Sequence, residues 1–368
     1  MRWFGYRGGT GWRPKVKQSA IVIPGDTPEI SWHIPVLEFS GPHANAVQKV
    51  YIQAALHANE LPGVAALHLL CARLGEAEAA GAIRGDITIV PQANPIGAAQ
   101  AHFGEMQGRF DLGSRGNYNR DFPLIASSAR HELLLGLDRL TAPERLKREL
   151  LNRALGADLV LDLHCDDESL PYAYIDSAFW PEASDLASAL QMDAVFLSDG
   201  ESSAFEEAVS YAWKQERGGK DVSLPGRLSV TVELRGRRDV GPNVARRDAD
   251  GLWAFLQARG IVEGDAPALE PYSGPAFALD TIEMIKAPVP GTVLFHRDIG
   301  ERVEAGDLLA VLVPRPGFPE HDVEVRAPQA GLVVTRSSAR FARRRDDLMK
   351  IGCAGNTEAG RKSGALED

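Results

Sequence analysis
The chain has 368 residues, 44% hydrophobic and 24% charged, with a formal net charge of −10. That length supports a full hydrophobic core and two domains, while the acidic surplus argues against a nucleic-acid partner. No apolar run reaches the roughly 18 residues of a membrane span, and three cysteines without CxxC spacing (Cys71, Cys165, Cys353) indicate neither a disulfide framework nor a thiolate metal site. A cytoplasmic protein is expected, because the cysteine usage fits a reducing compartment and the N-terminus lacks the apolar segment of a signal peptide.

Residues 1–17 carry Arg2, Arg7, Arg13, Lys15 and Lys17 among Trp3, Phe4, Tyr6 and Trp12, with no acid. They read as a subunit-docking arm, which would favour a homo-oligomer, or as an extension laid over its own domain. Short strands are expected at 20–23 and 35–39, so that 1–40 forms an arm with short strands. From residue 48 strand-like and helix-like runs alternate: strands at 50–56, 87–91, 159–163, 194–197 and 228–234, helices at 63–80, 133–155, 182–191, 204–215 and 245–258. The pattern predicts an α/β domain over 41–265, a largely parallel or mixed sheet flanked by helices. Ligands of such sheets sit beyond the carboxyl ends of the strands.

Polar residues gather at those ends. His57 and Glu60 follow the first strand of the domain, in Ala55-Leu56-His57-Ala58-Asn59-Glu60-Leu61-Pro62-Gly63. Two imidazoles and one glutamate are a catalytic zinc set, and His57-x-x-Glu60 offers two of the three; taken alone, the pair is equally two exposed loop residues. His164 closes the run Asp158-Leu159-Val160-Leu161-Asp162-Leu163-His164, where a lone histidine is otherwise a core or capping residue. Glu233 sits in Ser229-Val230-Thr231-Val232-Glu233-Leu234. A carboxylate in an apolar strand is rare unless paired or functional, so it is a general base beside a metal or the partner of Arg235 or Arg237. The loop from Arg109 to Pro123 is rich in glycine and contains Arg109, Arg115 and Arg120, forks suited to a carboxylate or merely solvated. Asp166-Asp167-Glu168 follow His164 and offer support to a cation, a contact for the amine of a cationic substrate, or a solvated turn.

In this order the motifs resemble the succinylglutamate desuccinylase/aspartoacylase family, a branch of the zinc carboxypeptidase superfamily. The match runs through His57 and Glu60, Asn94-Pro95-Ile96-Gly97, Asn119-Arg120-Asp121-Phe122-Pro123, His164 and Thr231-Val232-Glu233, across roughly residues 45–240. The resemblance implies one Zn2+ per subunit on His57, Glu60 and His164, with Glu233 as general base and acid. It implies that Asn119 and Arg120 hold the substrate carboxylate and that Arg109 polarises the scissile carbonyl, with Arg115 competing for that role. Asp167 is added as a substrate contact from its place after His164.

Around residue 265 the texture changes to Gly- and Pro-rich turns between short apolar pieces, an all-β unit over 272–352 with a disordered tail at 353–368. Lys286-Ala287-Pro288-Val289-Pro290-Gly291-Thr292-Val293 is echoed by Arg326-Ala327-Pro328-Gln329-Ala330-Gly331-Leu332-Val333, a half-repeat that predicts a small barrel. This part resembles the biotinyl/lipoyl carrier hairpin, yet the attachment position reads Val313-Pro314-Arg315-Pro316-Gly317-Phe318 without lysine, and Met349-Lys350 is out of place. In the hydrolase family such a β-domain caps the active-site mouth. The expected activity is zinc-dependent hydrolysis of a small N-acyl amino acid. A metallocarboxypeptidase for short peptides and a non-catalytic binding or carrier protein are the alternatives.

Overall fold
The structure, a computed structural model, describes residues 16–41, 48–200, 202–219, 222–265 and 268–357. The arm expected at 1–17 and the tail expected at 353–368 lie outside the described residues, apart from Val16, Lys17 and residues 353–357. Among the described residues no helix is long and apolar enough to cross a membrane.

The chain opens with β1 (Lys17–Pro24) and β2 (Ser31–Ser40), then β3 (Lys49–Ala54), α1 (Pro62–Ala79) and β4 (Asp86–Val90). A short α2 (Pro95–Ala98) and a hairpin of β5 (Ala101–His102) and β6 (Glu105–Met106) lead into a long loop. After it come α3 (Ala142–Ala154), β7 (Leu159–Asp166), β8 (Glu168–Ser169), β9 (Tyr172–Asp176), α4 (Ser184–Ala189), β10 (Ala194–Ser198), α5 (Phe205–Glu216), β11 (Leu228–Gly236), α6 (Pro242–Ala258) and β12 (Ala276–Ala278). Nine of these strands form one mixed sheet in the order β1-β2-β4-β3-β7-β11-β9-β10-β12. Its centre, β4-β3-β7-β11, is parallel, and β9 runs antiparallel to β11. Both β7 and β11 are buried along almost their whole length, which is why they read as continuous apolar runs.

Three differences from the sequence reading have clear causes. The strands expected within 1–40 are no separate arm: β2 pairs antiparallel with β4, so both belong to the edge of the main sheet. The helix expected at 133–155 begins only at Ala142. Gly136 adopts a left-handed φ of 66°, and Thr141 with Glu144 restarts the chain as a capping box, the Glu144 carboxylate accepting the Thr141 N–H at 2.8 Å. Finally, β9 has no counterpart among the predicted strands. Its five residues, Tyr-Ala-Tyr-Ile-Asp, lack the run of Val, Ile and Leu by which the other strands are read, yet it lies against β11.

The C-terminal part is all-β, as expected. It comprises β13 (Ile282–Lys286), β14 (Gly291–Phe295), β15 (Arg302–Val303), β16 (Leu308–Val313), β17 (Val323–Arg326), β18 (Gly331–Arg336), β19 (Phe341–Ala342) and β20 (Asp347–Cys353). The strands pair in two sheets, β13-β20-β18-β15 and β17-β16-β14-β19, over one apolar core that includes Val293, Leu312, Val333 and Ile351. The half-repeat is visible in the topology, since β13 to β14 and β17 to β18 each cross from one sheet to the other. The two parts interlock: β8 pairs with β18, and β12, which leads into the C-terminal unit, completes the main sheet beside β10.

The start of α1 is set by close contact. A Cβ on Gly63 would lie 2.7 Å from the Leu163 Cβ and 3.0 Å from the Ala54 Cβ, so only glycine lets the first turn rest on the ends of β3 and β7. Gly63→Ala is expected to destabilise the fold by about 1–3 kcal/mol, the usual cost of overpacking, measured as a lower midpoint of denaturant unfolding. An unchanged midpoint would show that these strand ends yield freely.

Candidate active site
The site is assembled by three adjacent parallel strands that end on the same side. At the end of β3, Ala55 takes a left-handed φ of 57° and turns the chain, after which His57 and Glu60 lie in the turn before α1. His164 lies near the end of β7, and Glu233 faces it in register on β11. Because side chains of one register position in neighbouring strands share a face, Glu233 stands beside the histidine and next to Tyr172 of β9.

His57, Glu60 and His164 are buried, and one potential ligand atom of each lies within 4.8 Å of the others. Glu60 is the hinge of the group: its Oε1 is 2.9 Å from His57 Nδ1 and its Oε2 is 2.8 Å from His164 Nδ1. The far nitrogens are tied outward, His57 Nε2 to Asn117 Oδ1 at 2.7 Å and His164 Nε2 to Asp162 Oδ2 at 2.9 Å. The Asn117 oxygen also accepts the Asn119 N–H at 2.9 Å, which fixes the orientation of that amide. Both outer partners are acceptors, so each Nε2 carries a proton, and each Nδ1 is turned inward onto a Glu60 oxygen. Two inward imidazole nitrogens and a carboxylate, preset in this way, fit a borderline-soft divalent cation such as zinc.

Burial alone would lower both imidazoles. It does so for His57, whereas at His164 the carboxylates of Asp162 and Glu60 outweigh it and hold the group well above the usual histidine range. Burial would raise Glu60, but the two histidines hold it well below the carboxylate range. Burial pushes Glu233 well up, opposed by His164 and reinforced by Glu60 and Asp166. The Glu233 Oε2 is buried without a hydrogen-bond partner among the described residues. Neither neighbouring arginine neutralises it. Arg235 makes a buried two-pronged pair with Asp248 at 3.0 and 2.5 Å, and Arg237 pairs with Asp167.

Arg109 Nη1 lies 3.5 Å from Glu60 Oε1, on the strap that Gly108 brings in. The Gly108 carbonyl accepts the Ala58 N–H at 3.0 Å, and a Cβ there would come within 2.3 Å of the Asn59 nitrogen. Asn119 and Arg120 line the same small cavity of about 80 Å3 as the His-Glu-His group and Glu233. The Asn119 Oδ1 accepts the Phe205 N–H at 2.8 Å, while Arg120 donates to the Asn119 carbonyl at 2.7 Å. Arg115 is not brought to the site: it is exposed in the turn closed by its N–H to the Asp111 carbonyl, and it lines neither the small cavity nor the larger ones outside it. Asp167 is likewise displaced from the expected substrate contact, because it is paired with Arg237 and faces only the outer cavities.

The acidic triplet has a structural use instead. Asp166 binds Lys350 at 2.6 Å and accepts the Tyr172 hydroxyl at 2.8 Å, and Glu168 binds Arg336 and Arg340, each at 2.7 Å. These acids hold the C-terminal unit over the strand ends, with a cavity of about 860 Å3 between the two parts. Lys350 itself is 4% exposed, so its contact with Asp166 is a buried one.

The sequence reading assigned no role to Asp162, Asn117 or Lys350. Asp162 had left a signal: it lies two residues before His164 on one strand and therefore on the same face. Lys350 had none, since its partner is 184 residues away.

Comparison with known proteins agrees with this geometry. Residues 46–259 match the model of the succinylglutamate desuccinylase/aspartoacylase catalytic domain. The chain belongs to the succinylglutamate desuccinylase/aspartoacylase family, a family of hydrolases that act on amides. No curated protein matches it. Among solved structures it is similar to a succinylglutamate desuccinylase/aspartoacylase from Shewanella frigidimarina, with a TM-score of 0.79 at 23% identity over 93% of this chain and 98% of that one. A family protein from Shewanella amazonensis gives 0.77 at 24% identity over 92% and 98%. The product-bound ectoine utilization protein of Ruegeria pomeroyi gives 0.69 at 23% identity over 93% and 96%. At these identities the likeness is one of fold.

His57→Ala and His164→Ala are each expected to abolish stoichiometric metal in the purified protein, measured by elemental analysis. Asp162→Asn keeps the three ligands but loosens His164, and is expected to weaken metal binding by roughly 10–100-fold in a chelator competition. Full metal retention in the histidine variants would refute the ligand set.

Proposed function
We propose that the protein is a zinc-dependent deacylase that hydrolyses the amide bond of a small N-acyl amino acid. The observation that carries this reading is the pairing of Glu233 with His164 across β7 and β11, with a buried, unpartnered Glu233 oxygen beside the His-Glu-His group. Zinc on His57, Glu60 and His164 would supply a water of lowered pKa and a Lewis acid for the carbonyl.

The chain's own residues do the rest. Glu233, raised by burial toward the range useful for proton transfer, accepts a proton from the attacking water and later delivers it to the leaving amine. Arg109, beside Glu60, donates to the oxyanion that develops on the carbonyl, a contribution of about 3–4 kcal/mol per donor in comparable sites. Asn119 and Arg120 hold the carboxylate of the substrate in the inner cavity, and the clamped C-terminal unit restricts what enters. The small inner cavity and that clamp disfavour a carboxypeptidase, which needs an open groove. The burial of Lys350 disfavours a carrier.

Glu233→Gln is expected to lower kcat by about 10^2–10^4 while metal content and KM change little, measured on a panel of N-acetyl and N-succinyl amino acids by release of free amine. Turnover near that of the unaltered protein would remove Glu233 as the base. Arg109→Ala is expected to lower kcat more than it raises KM; a change in KM alone would mean that Arg109 binds the substrate and does not stabilise the oxyanion.

A further inference from the structure
Asn117, Asn119 and Arg120 belong to one tight turn, closed where the Arg120 N–H reaches the Asn117 carbonyl at 3.3 Å. On its inner side the Asn117 Oδ1 faces His57 Nε2, and Asn119 and Arg120 line the inner cavity. The Asn119 carbonyl accepts from the Arg120 guanidinium at 2.7 Å. The carbonyls at the two ends of the turn share one donor from outside it. Lys147 of α3 donates through Nζ to the Asn117 carbonyl at 3.0 Å and to the Arg120 carbonyl at 2.7 Å. The proposed chemistry makes no use of this lysine.

Lys147 reaches the turn from a fixed base. Leu146, Leu150 and Leu151 of α3 are buried, the Asp26 carboxylate accepts the Ala142 N–H at 2.9 Å, and Arg145 donates to the Pro24 carbonyl at 2.8 Å. The lysine is half-buried, and burial lowers its pKa against the opposing charges of Asp121, Glu144 and Asp111. A cation drawn out of water is ordinarily matched with an anion. The hydrogen bonds of this one go instead to two neutral carbonyls of a single turn.

The segment before α5 holds the same loop by other atoms. Ser203 accepts the Asp121 N–H on its hydroxyl at 2.9 Å and the Phe122 N–H on its carbonyl at 3.0 Å, and the Phe205 N–H meets the Asn119 Oδ1 at 2.8 Å. Lys147 supplies the opposing jaw, at the ends of the turn. Such a grip matters because a guanidinium recognises a carboxylate through a planar fork. A displacement of about 1 Å, even from a change remote from the chemistry, is enough to cost on the order of 100-fold.

We propose that Lys147 is a positioning residue for the substrate carboxylate: by bridging the carbonyls of Asn117 and Arg120 it sets how Asn119 and Arg120 enter the inner cavity. The inference rests on the deacylase reading for what Asn119 and Arg120 hold, but it can be tested without turnover. The probes are free amino acids that such a reaction would release, each beside the amine that lacks its α-carboxylate: alanine and ethylamine, aspartate and β-alanine, glutamate and γ-aminobutyrate. They are titrated calorimetrically into the zinc-loaded full-length protein.

At least one amino acid is expected to bind about tenfold or more tightly than its amine. Lys147→Met, which keeps the length of the side chain and removes its donors, is expected to bring that preference close to unity, and Lys147→Arg to restore most of it. A lysine that served stability alone would lower the unfolding midpoint and leave the preference of the folded protein unchanged. Equal affinities in every pair of the unaltered protein overturn the proposal, as does a preference that survives Lys147→Met or a loss that Lys147→Arg does not recover. Should Lys147→Met not fold, Lys147→Gln takes its place; failure of both neutral variants to fold makes Lys147 a residue of the fold and also overturns the proposal. The N-acetyl and N-succinyl forms of the same amino acids, assayed for amine release, separate the two readings. Hydrolysis with a preference that Lys147→Met does not move keeps the deacylase and removes the positioning role. A preference lost in Lys147→Met and regained in Lys147→Arg, without hydrolysis of any acylated form, keeps the positioning role and removes the deacylase.

Discussion
The constraint on which the rest of the structure depends is the buried carboxylate of Glu60. An ionised carboxylate removed from water is tolerated only with charge or strong donors around it. Here both oxygens are met by imidazoles, at 2.9 and 2.8 Å, and the Cys165 N–H adds a contact at 3.2 Å. Those imidazoles must in turn be oriented, which is the work of Asn117 and Asp162. Asp162 is held by Gln53 at 3.0 Å, and Gln53 by Tyr51 at 2.8 Å. The chain of contacts runs from the middle of β3 through the end of β7, so the position of the histidines is fixed by the most deeply buried strands of the sheet. This is how a site at loop ends acquires the rigidity of the sheet beneath it.

Parallel strand ends would leave that site open to solvent, and the C-terminal unit closes it through charge. Beyond His164, Asp166 meets Lys350 of the C-terminal unit and Glu168 meets its Arg336 and Arg340, while Asp167, paired with Arg237 of its own part, accepts the Ser338 N–H at 3.4 Å. Exposed ion pairs taken singly contribute little. These include a buried lysine, share one short stretch of chain, and accompany the β8–β18 pairing, so together they fix a register between the two parts. Closure and the candidate site are thereby linked along one strand: β7, which carries His164 near its end, runs directly into the clamp.

The legible part of this arrangement was the part with local spacing. His57-x-x-Glu60 and the strand-borne His164 and Glu233 could be found because strand periodicity placed all of them at the carboxyl ends of one sheet. The family resemblance then ordered them. What could not be read was pairing over distance. Asp166 and Lys350 are 184 residues apart, and nothing near either names the other. Local statistics also misled in places: the apolar pattern over 133–155 ignored Gly136 and the Thr141 cap, and Arg115 competed with Arg109 for one role although the loop's turn leaves it exposed. The acids after His164 read as site residues because they neighbour a candidate metal ligand in sequence, whereas their partners come from elsewhere.

Glu233 shows how a sequence neighbour can be the wrong partner. Arg235 and Arg237 follow it at the even spacing that, on a regular strand, would set them on its face as ready counter-charges. The strand is not regular there. Arg235 takes a left-handed φ of 64°, and the pairing of β11 with β7 shifts register between Glu233 and Gly236. Such a bulge re-aims the residues beyond it, delivering Arg235 to Asp248 and Arg237 to Asp167. Without it, a salt bridge would hold Glu233 ionised and engaged, with its pKa low and its oxygens unavailable to a water. The irregularity therefore directs two cations away from Glu233 and leaves its Oε2 without a hydrogen-bond partner among the described residues, and the strain at Arg235 is offset by the buried pair with Asp248 that it makes possible.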